Sequence, residues 1–178
     1  MRKRVVIIFI FILFLIIAIS VFILFSFFGI YKIEDNEYQF AINIKQRLNV
    51  TGNVDIKQVV SIDNKKIVLF TIDENIGEAE FIRGINKKYK IGATGYGNNL
   101  IRYQIVETSK AKYLIMGGQN FELKINRAKV LLENIEYRID IPQQDYFLTY
   151  FIIPNEIQTI FPDIFEVEIY DMSNNIVY

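Results

Sequence analysis

VDIKQVVSIDNKKIVLFTI, residues 54–72, is the stretch that decides the fold. Val54, Ile56 and the run Val59–Ile62 give an apolar pattern of period two, the repeat of a strand whose side chains alternate between faces. Asp63-Asn64 is a turn dipeptide, and Ile67–Ile72 follows as a strand with a continuous apolar centre. Two such runs on either side of a two-residue turn read as an antiparallel hairpin.

The pattern repeats downstream. Asp73 to Gly77 reads as a loop and Ala79 to Arg83 as a short strand, and Gly84 to Lys87 as a turn. Tyr89, Ile91, Ala93 and Gly95 alternate strictly, Gly97-Asn98-Asn99 turns the chain, and Leu100–Glu107 and Lys112–Met116 are further strands. About six short strands, mostly separated by turn residues, predict an antiparallel meander rather than a parallel sheet. Gly117-Gly118-Gln119-Asn120 interrupts the pattern and is read as a boundary. Beyond it, Phe121–Ile125, Ala128–Ile141, Tyr146–Ile153 and Phe165–Tyr170 read as strands, with a helical turn in Asn155–Phe161, a hairpin turn in Met172–Asn175 and a last edge strand in Ile176–Tyr178.

Upstream the period changes to that of a helix. Asp35 is the expected N-cap of a helix over residues 36–48, with Tyr38, Ala41, Ile44 and Leu48 on one face and Gly52-Asn53 at its end. Lys45 falls on the same face, with a stem long enough to carry its ammonium to water. The order of helix then meander matches that of cystatin-like α+β domains, an analogy of order that carries no function.

Before that helix, residues 5–28 hold 22 apolar residues out of 24, the exceptions being Ser20 and Ser26. About 20 apolar residues in a helix cross the hydrocarbon core. Arg2, Lys3 and Arg4 precede the run, which keeps the N-terminus in the cytoplasm and puts the rest of the chain outside. Ala18 and Ser20 are small residues at signal-peptidase spacing, so cleavage and secretion are the alternative. The apolar run continues eight residues past Ser20, which favours an uncleaved signal anchor. The expected organisation is a cytoplasmic tail and transmembrane anchor over 1–31, an α+β meander domain over 32–118, and a β-rich, sandwich-like part over 119–178. The fold class is α+β.

Composition narrows the chemistry. The chain has no cysteine and no histidine, which removes disulfides, thiolate and imidazole metal sites, and Ser-His or Cys-His catalysis. All 20 acidic residues but only 17 of the 20 basic ones lie in 32–178, a balance of −3. That balance offers no overall field for nucleic acid or for anionic lipid. No cofactor is expected. An enzyme would have to work with carboxylates alone. Glu166 and Glu168 share one strand face, and Asp73, Glu74, Glu78 and Glu80 sit around a turn, neither of which sets two acids across a cleft. The glycine-dense Gly92-x-x-Gly95-Tyr96-Gly97 lacks the lysine and following helix of a phosphate loop and reads as a bulge or close backbone packing.

The tyrosine-rich strands are the expected interaction surface: Tyr146, Phe147, Tyr150 and Phe151 on one strand, with Tyr96 and Tyr103. Rigid rings with a polar tip suit protein or carbohydrate contacts.

Gly77, Lys88-Tyr89-Lys90-Ile91, Gly95-Tyr96-Gly97, Lys112-Tyr113-Leu114-Ile115 with Gly117, and the ending Val167-Glu168-Ile169-Tyr170-Asp171 resemble small exported or membrane-anchored proteins of low-GC Gram-positive bacteria. The resemblance covers about a third of the chain, lies in strand and turn patterns, and transfers no active residue. The role expected from all this is a single-pass, extracytoplasmic interaction or accessory protein. It is held by the lipid bilayer through residues 5–28 and faces an envelope protein partner. The alternative is a small-ligand-binding domain with its pocket between helix and sheet.

Overall fold

A computed structural model describes residues 2–159 and 167–177, with the side chains of 2–6 and 26–28 outside that description. Phe161, Phe165, Glu166 and Tyr178, which carry parts of the expected elements, lie outside the described residues. The fold is α+β, as the sequence predicts.

Helix α1 runs Arg2–Ile30 and helix α2 runs Glu37–Leu48. The cap of α2 is Asn36 rather than Asp35: the Asn36 side chain accepts from the Gln39 N–H at 2.9 Å, satisfying one of the free donors of the first turn. The helix ends at Asn49, which takes the left-handed conformation (φ 53°) without help from Gly52.

Four strands follow as a meander: β1 (Val54–Ile62), β2 (Lys65–Ile72), β3 (Asn75–Arg83) and β4 (Tyr89–Gly97), in sheet order β1-β2-β3-β4. The expected loop at Asp73–Gly77 is only the two-residue turn Asp73-Glu74, with Asp73 at φ 53°, and Gly77 lies inside β3. A second sheet has the order β5-β6-β9, from β5 (Ile101–Glu107), β6 (Lys112–Gln119) and β9 (Tyr146–Ile153). A third has the order β10-β7-β8, from β7 (Ile125–Leu132), β8 (Ile135–Asp140) and β10 (Val167–Asp171). Gly117 and Gly118 are paired residues of β6, opposite Leu148 and Phe147 of β9, so the second sheet spans the division at residue 118. The expected strand at Phe121–Ile125 is instead a 3-10 turn at Phe121–Leu123, with Glu122 and Leu123 at positive φ. The long run Ala128–Ile141 is a hairpin folded at Glu133-Asn134, both left-handed (φ 50° and 70°).

Alternation along the strands stacks these elements in four layers. Phe40 and Ile44 of α2 pack on Val68, Phe70, Ala79, Phe81 and Tyr89. The opposite face of the first sheet, with Ile67, Leu69 and Ile76, packs on Tyr113, Ile115 and Leu148 of the second. The far face of the second sheet, with Leu114, Met116 and Phe147, packs on Val130, Ile139 and Ile169 of the third. β2 is therefore covered on both sides, which is why its centre carries no polar residue between Ile67 and Phe70.

Gly77 shows how tight the first sheet is. A Cβ there would lie 2.2 Å from the Phe70 ring, and that ring is fully buried. Gly77→Ala is expected to lower stability by about 1–3 kcal/mol, the usual cost of overpacking, read as a lower urea midpoint with an unchanged slope.

Candidate functional site

The structure separates the six tyrosine and phenylalanine residues singled out in the sequence. Paired residues share a face, so Tyr146 and Tyr150 of β9 look toward the first sheet, with Ile115 and Tyr113, while Phe147 and Phe151 look toward the third. Phe147 is fully buried in the core between the second and third sheets, and Phe151 and Tyr103 pack against that same core. Phe147 is thus a core residue, because β9 is sandwiched and both its faces are apolar. Tyr96 is 41% exposed but sits on β4, an edge of the first sheet, away from β9. Tyr146 lies beneath the Lys57 ammonium, 4.7 Å from the ring centre, and its carbonyl accepts from the Gln58 amide at 2.7 Å. Of the six, Tyr150 remains as an exposed aromatic on β9 (44%), next to Ile152 (68%), which the sequence did not mark. Tyr150 meets Tyr113 edge-on at 5.9 Å between centroids. β9 is an edge strand of its sheet, so these side chains flank backbone that another strand could pair with.

A second constellation lies between the first two sheets, where the sequence showed only scattered acids. Asp73 and Glu74 are exposed turn residues, but Glu78 is 6% exposed. Glu78 and Glu80 point from β3 toward the second sheet, and Arg102 and Gln104 of β5 point back, since they pair with the inward Gly117 and Ile115. Glu80 is held by Lys65 at 2.8 Å. Burial pushes the Glu78 carboxyl up, and a hydrogen bond from Gln104 and the Arg102 charge pull it part of the way back. Glu78 Oε1 and Arg102 Nε are buried without a hydrogen-bond partner.

The glycine-dense stretch of β4 is the floor of this cluster. A Cβ on Gly92 would come within 2.7 Å of Glu80 Oε1, and Cβ atoms on Gly95 and Gly97 would meet the Arg102 guanidinium at 3.5 and 3.9 Å. Gly92 makes room for the Glu80 carboxylate between the two sheets, while Gly95 and Gly97 lie at ordinary contact distance from Arg102. A missing Cβ is also a signal the sequence carried, since three glycines in one strand mark close approach of something bulky.

Two acids elsewhere are tightly held by neighbours. Asp63 is held below the usual carboxylate range by a hydrogen bond from Thr108, at 2.7 Å, and then by Tyr113 and Lys110. Glu168 is held low by Lys129 at 2.8 Å and by the Tyr170 hydroxyl at 2.6 Å. Among the described residues no three acids are grouped in a way that could hold a metal ion.

These features define a class: an α+β chain whose layered β portion follows an N-terminal helix long and apolar enough to cross a membrane. No family model, curated protein or solved structure matches the chain.

Proposed function

We propose that this chain is a single-pass membrane-anchored interaction or accessory protein. Its N-terminus is cytoplasmic and its β-rich part is presented on the outer side to an envelope protein. The observation that carries this reading is a membrane-length helix whose described side chains are exposed throughout Ile7–Phe25, leading into a domain that leaves Tyr150 and Ile152 uncovered on an edge strand. A buried helix of a soluble protein would hide one face; this one has none to hide.

The space where a small ligand would lie between helix and sheet is filled. Phe40 and Ile44 are buried there, and the Phe40 ring centre is 4.4 Å from that of Phe81. What stays open is a groove of about 330 Å³ between α2 and the start of β1, lined by Tyr38, Lys45 and Ile56 among others. This packing favours the interaction reading over the ligand-binding one.

The test is crosslinking in living cells, with a photoreactive amino acid at Tyr150 or Ile152 and, as the buried control, at Phe147. Adducts to an envelope protein at 150 and 152 are expected, and none at 147. Absence of adducts at both exposed positions sinks the interaction reading. The anchor has a separate check: the chain should stay with alkali-washed membranes at its full 20.9 kDa. A shortened form in the medium would show cleavage instead.

A further inference from the structure

The exported part is acidic as a whole, yet its charge is not evenly placed. The chain that leaves α1 is fastened at once to the β3–β4 turn. Tyr31, the residue after α1, lies against Gly84 so closely that a Cβ there would be 2.7 Å from its ring. Its carbonyl accepts from the Asn86 side chain at 2.8 Å, and the Lys90 ammonium is 5.2 Å from its ring centre. Two residues on, Ile33 and Tyr89 exchange backbone hydrogen bonds at 2.9 and 2.7 Å. The turn 84–88 is therefore held within a few residues of the end of the membrane-length helix.

The tips of the β1–β2 and β5–β6 hairpins stand beside that turn. Together the three tips enclose a depression of about 450 Å³ whose wall includes Asp63, Arg83, Ile85, Lys87 and Lys110. This end of the molecule carries Lys32, Lys65, Lys66, Arg83, Lys87, Lys88, Lys90 and Lys110 against Glu34, Asp35, Asp63, Glu80 and Glu107, with Lys65 paired to Glu80 and Lys66 to Asp35. Glu34 pairs with Lys88 at 3.5 Å and Asp63 with Lys110 at 3.2 Å. Arg83 and Lys87 have no ion pair among the described residues. Ile85, at the apex of the turn, is 78% exposed. An exposed isoleucine ringed by basic side chains, at the root of a membrane helix, matches an anionic bilayer surface: the apolar tip enters the headgroup layer and the cations meet its charge.

We propose that this hairpin-tip face docks on the anionic lipid headgroups of the membrane that holds α1, fixing the domain upright so that its opposite end points away from the bilayer. The proposal rests on the anchor reading above. It also revises the expectation from net charge, because the relevant field is set within about 10 Å of the surface, the screening length at 0.1 M salt, and not by the balance of the whole domain.

The chain has no cysteine, so one introduced thiol carries a nitroxide without further changes. The full chain would be reconstituted in phosphatidylcholine vesicles, with or without about a third phosphatidylglycerol, a composition that supplies the anionic surface. A label at Ile85→Cys should be more accessible to oxygen than to a polar nickel complex in the anionic vesicles. A label at Glu74→Cys, in the turn at the other end of β3 and about 25–30 Å away, should stay in water. Arg83→Gln with Lys87→Gln should lower the docked-to-undocked ratio about 25-fold, at about fivefold per charge, and 1 M salt should act in the same direction. A chain that floats with the vesicles while the Ile85 label stays aqueous overturns the docking and leaves the anchor standing. Equal lipid contact in neutral and anionic vesicles overturns the headgroup assignment. A chain that does not float with either vesicle overturns the anchor, and the docking falls with it.

Discussion

Gly118→Ala is expected to cost the fold about 3 kcal/mol or more, at the upper end of overpacking effects, while Gly95→Ala is expected to change stability by less than about 1 kcal/mol. Both glycines lie inside strands, so the difference is one of surroundings. A Cβ at 118 would stand 2.3 Å from the Leu100 carbonyl oxygen and 3.0 Å from the Ile101 Cα. Those are backbone atoms of the approach to β5, the strand paired with Gly118 through Ile101. Gln119 also donates to the same Leu100 carbonyl at 2.9 Å. Relief requires moving a strand, not rotating a side chain. At Gly95 the nearest atom is the end of the Arg102 guanidinium at 3.5 Å, an ordinary contact that a long side chain can adjust. Urea unfolding of the full chain in detergent, followed by tyrosine fluorescence, compares the two. Equal midpoints would show that β5 and β6 do not approach this closely at Gly118.

The same glycine shows why part of the fold was hidden in the sequence. Gly-Gly before Gln-Asn has the composition of a linker, yet here Gly118 lets the neighbouring strand approach and Gly117 is a smooth spot between layers. Gly117 leaves space for Leu148, whose Cδ1 a Cβ would meet at 2.8 Å, and for Leu69 of the facing sheet at 3.2 Å. Composition cannot distinguish a glycine that frees the chain from one that lets two sheets touch. The pairing of β6 with β9 is likewise invisible, since residues 120–145 and a whole hairpin intervene. Local signals were stronger. The hairpin at Asp63-Asn64 and the turn at Met172–Asn175 rest on neighbouring residues, and the structure has both. The alternation from Tyr89 is interrupted: a register shift opposite Glu80 leaves Tyr89 and Ile91 toward α2 and turns Gly95 toward the second sheet. The hairpin at Glu133-Asn134 was missed because neither residue is glycine, although asparagine tolerates the left-handed region that the turn demands.

The candidate sites divide along the same line. Tyr150 is exposed as an interaction residue should be, yet Leu148 on the same face of β9 is buried, so alternation alone does not give its exposure. Phe147 was misplaced because both faces of β9 are apolar, and only the third sheet reveals that the second face is covered. Glu78 looked like one of four solvated acids around a turn. Its burial comes from Arg102 and Gln104, more than 20 residues later, arriving from another sheet. The bulge or close packing expected at the β4 glycines is there as a register shift opposite Glu80 and a close approach of Glu80 to Gly92, but the side chain that Gly92 admits could not be named from spacing.

Glu78 gives the second large effect, and its sign follows from linkage. Burial sets the folded-state pKa of Glu78 above its unfolded value. Between those two values the folded chain keeps a proton that the unfolded chain has lost. Stability from this group is therefore greatest in acid and falls as pH rises from the ordinary carboxyl range through the raised value. Asp63, Glu136, Glu168 and Asp171 have lowered values and act oppositely, their stabilisation being lost as pH falls. A single melting curve mixes both trends, so the useful quantity is the difference between the wild-type chain and Glu78→Gln. Glutamine has the shape of the neutral acid and cannot ionise. The four lowered acids are common to both chains and largely cancel. The variant is expected to gain on the wild type by about 1.4 kcal/mol per pH unit between the unfolded value and the raised folded value, measured by urea unfolding from pH 5 to 9. Removing the charge that steadies the ionised form sharpens the test. In an Arg102→Met background the buried carboxylate loses its facing cation, so the pH at which the two chains stop diverging should move upward. Parallel curves for the wild type and Glu78→Gln across the whole range would show that Glu78 meets water when the domain is folded. The glycine floor beneath Arg102 would then be an open cleft and not a closed seam between sheets.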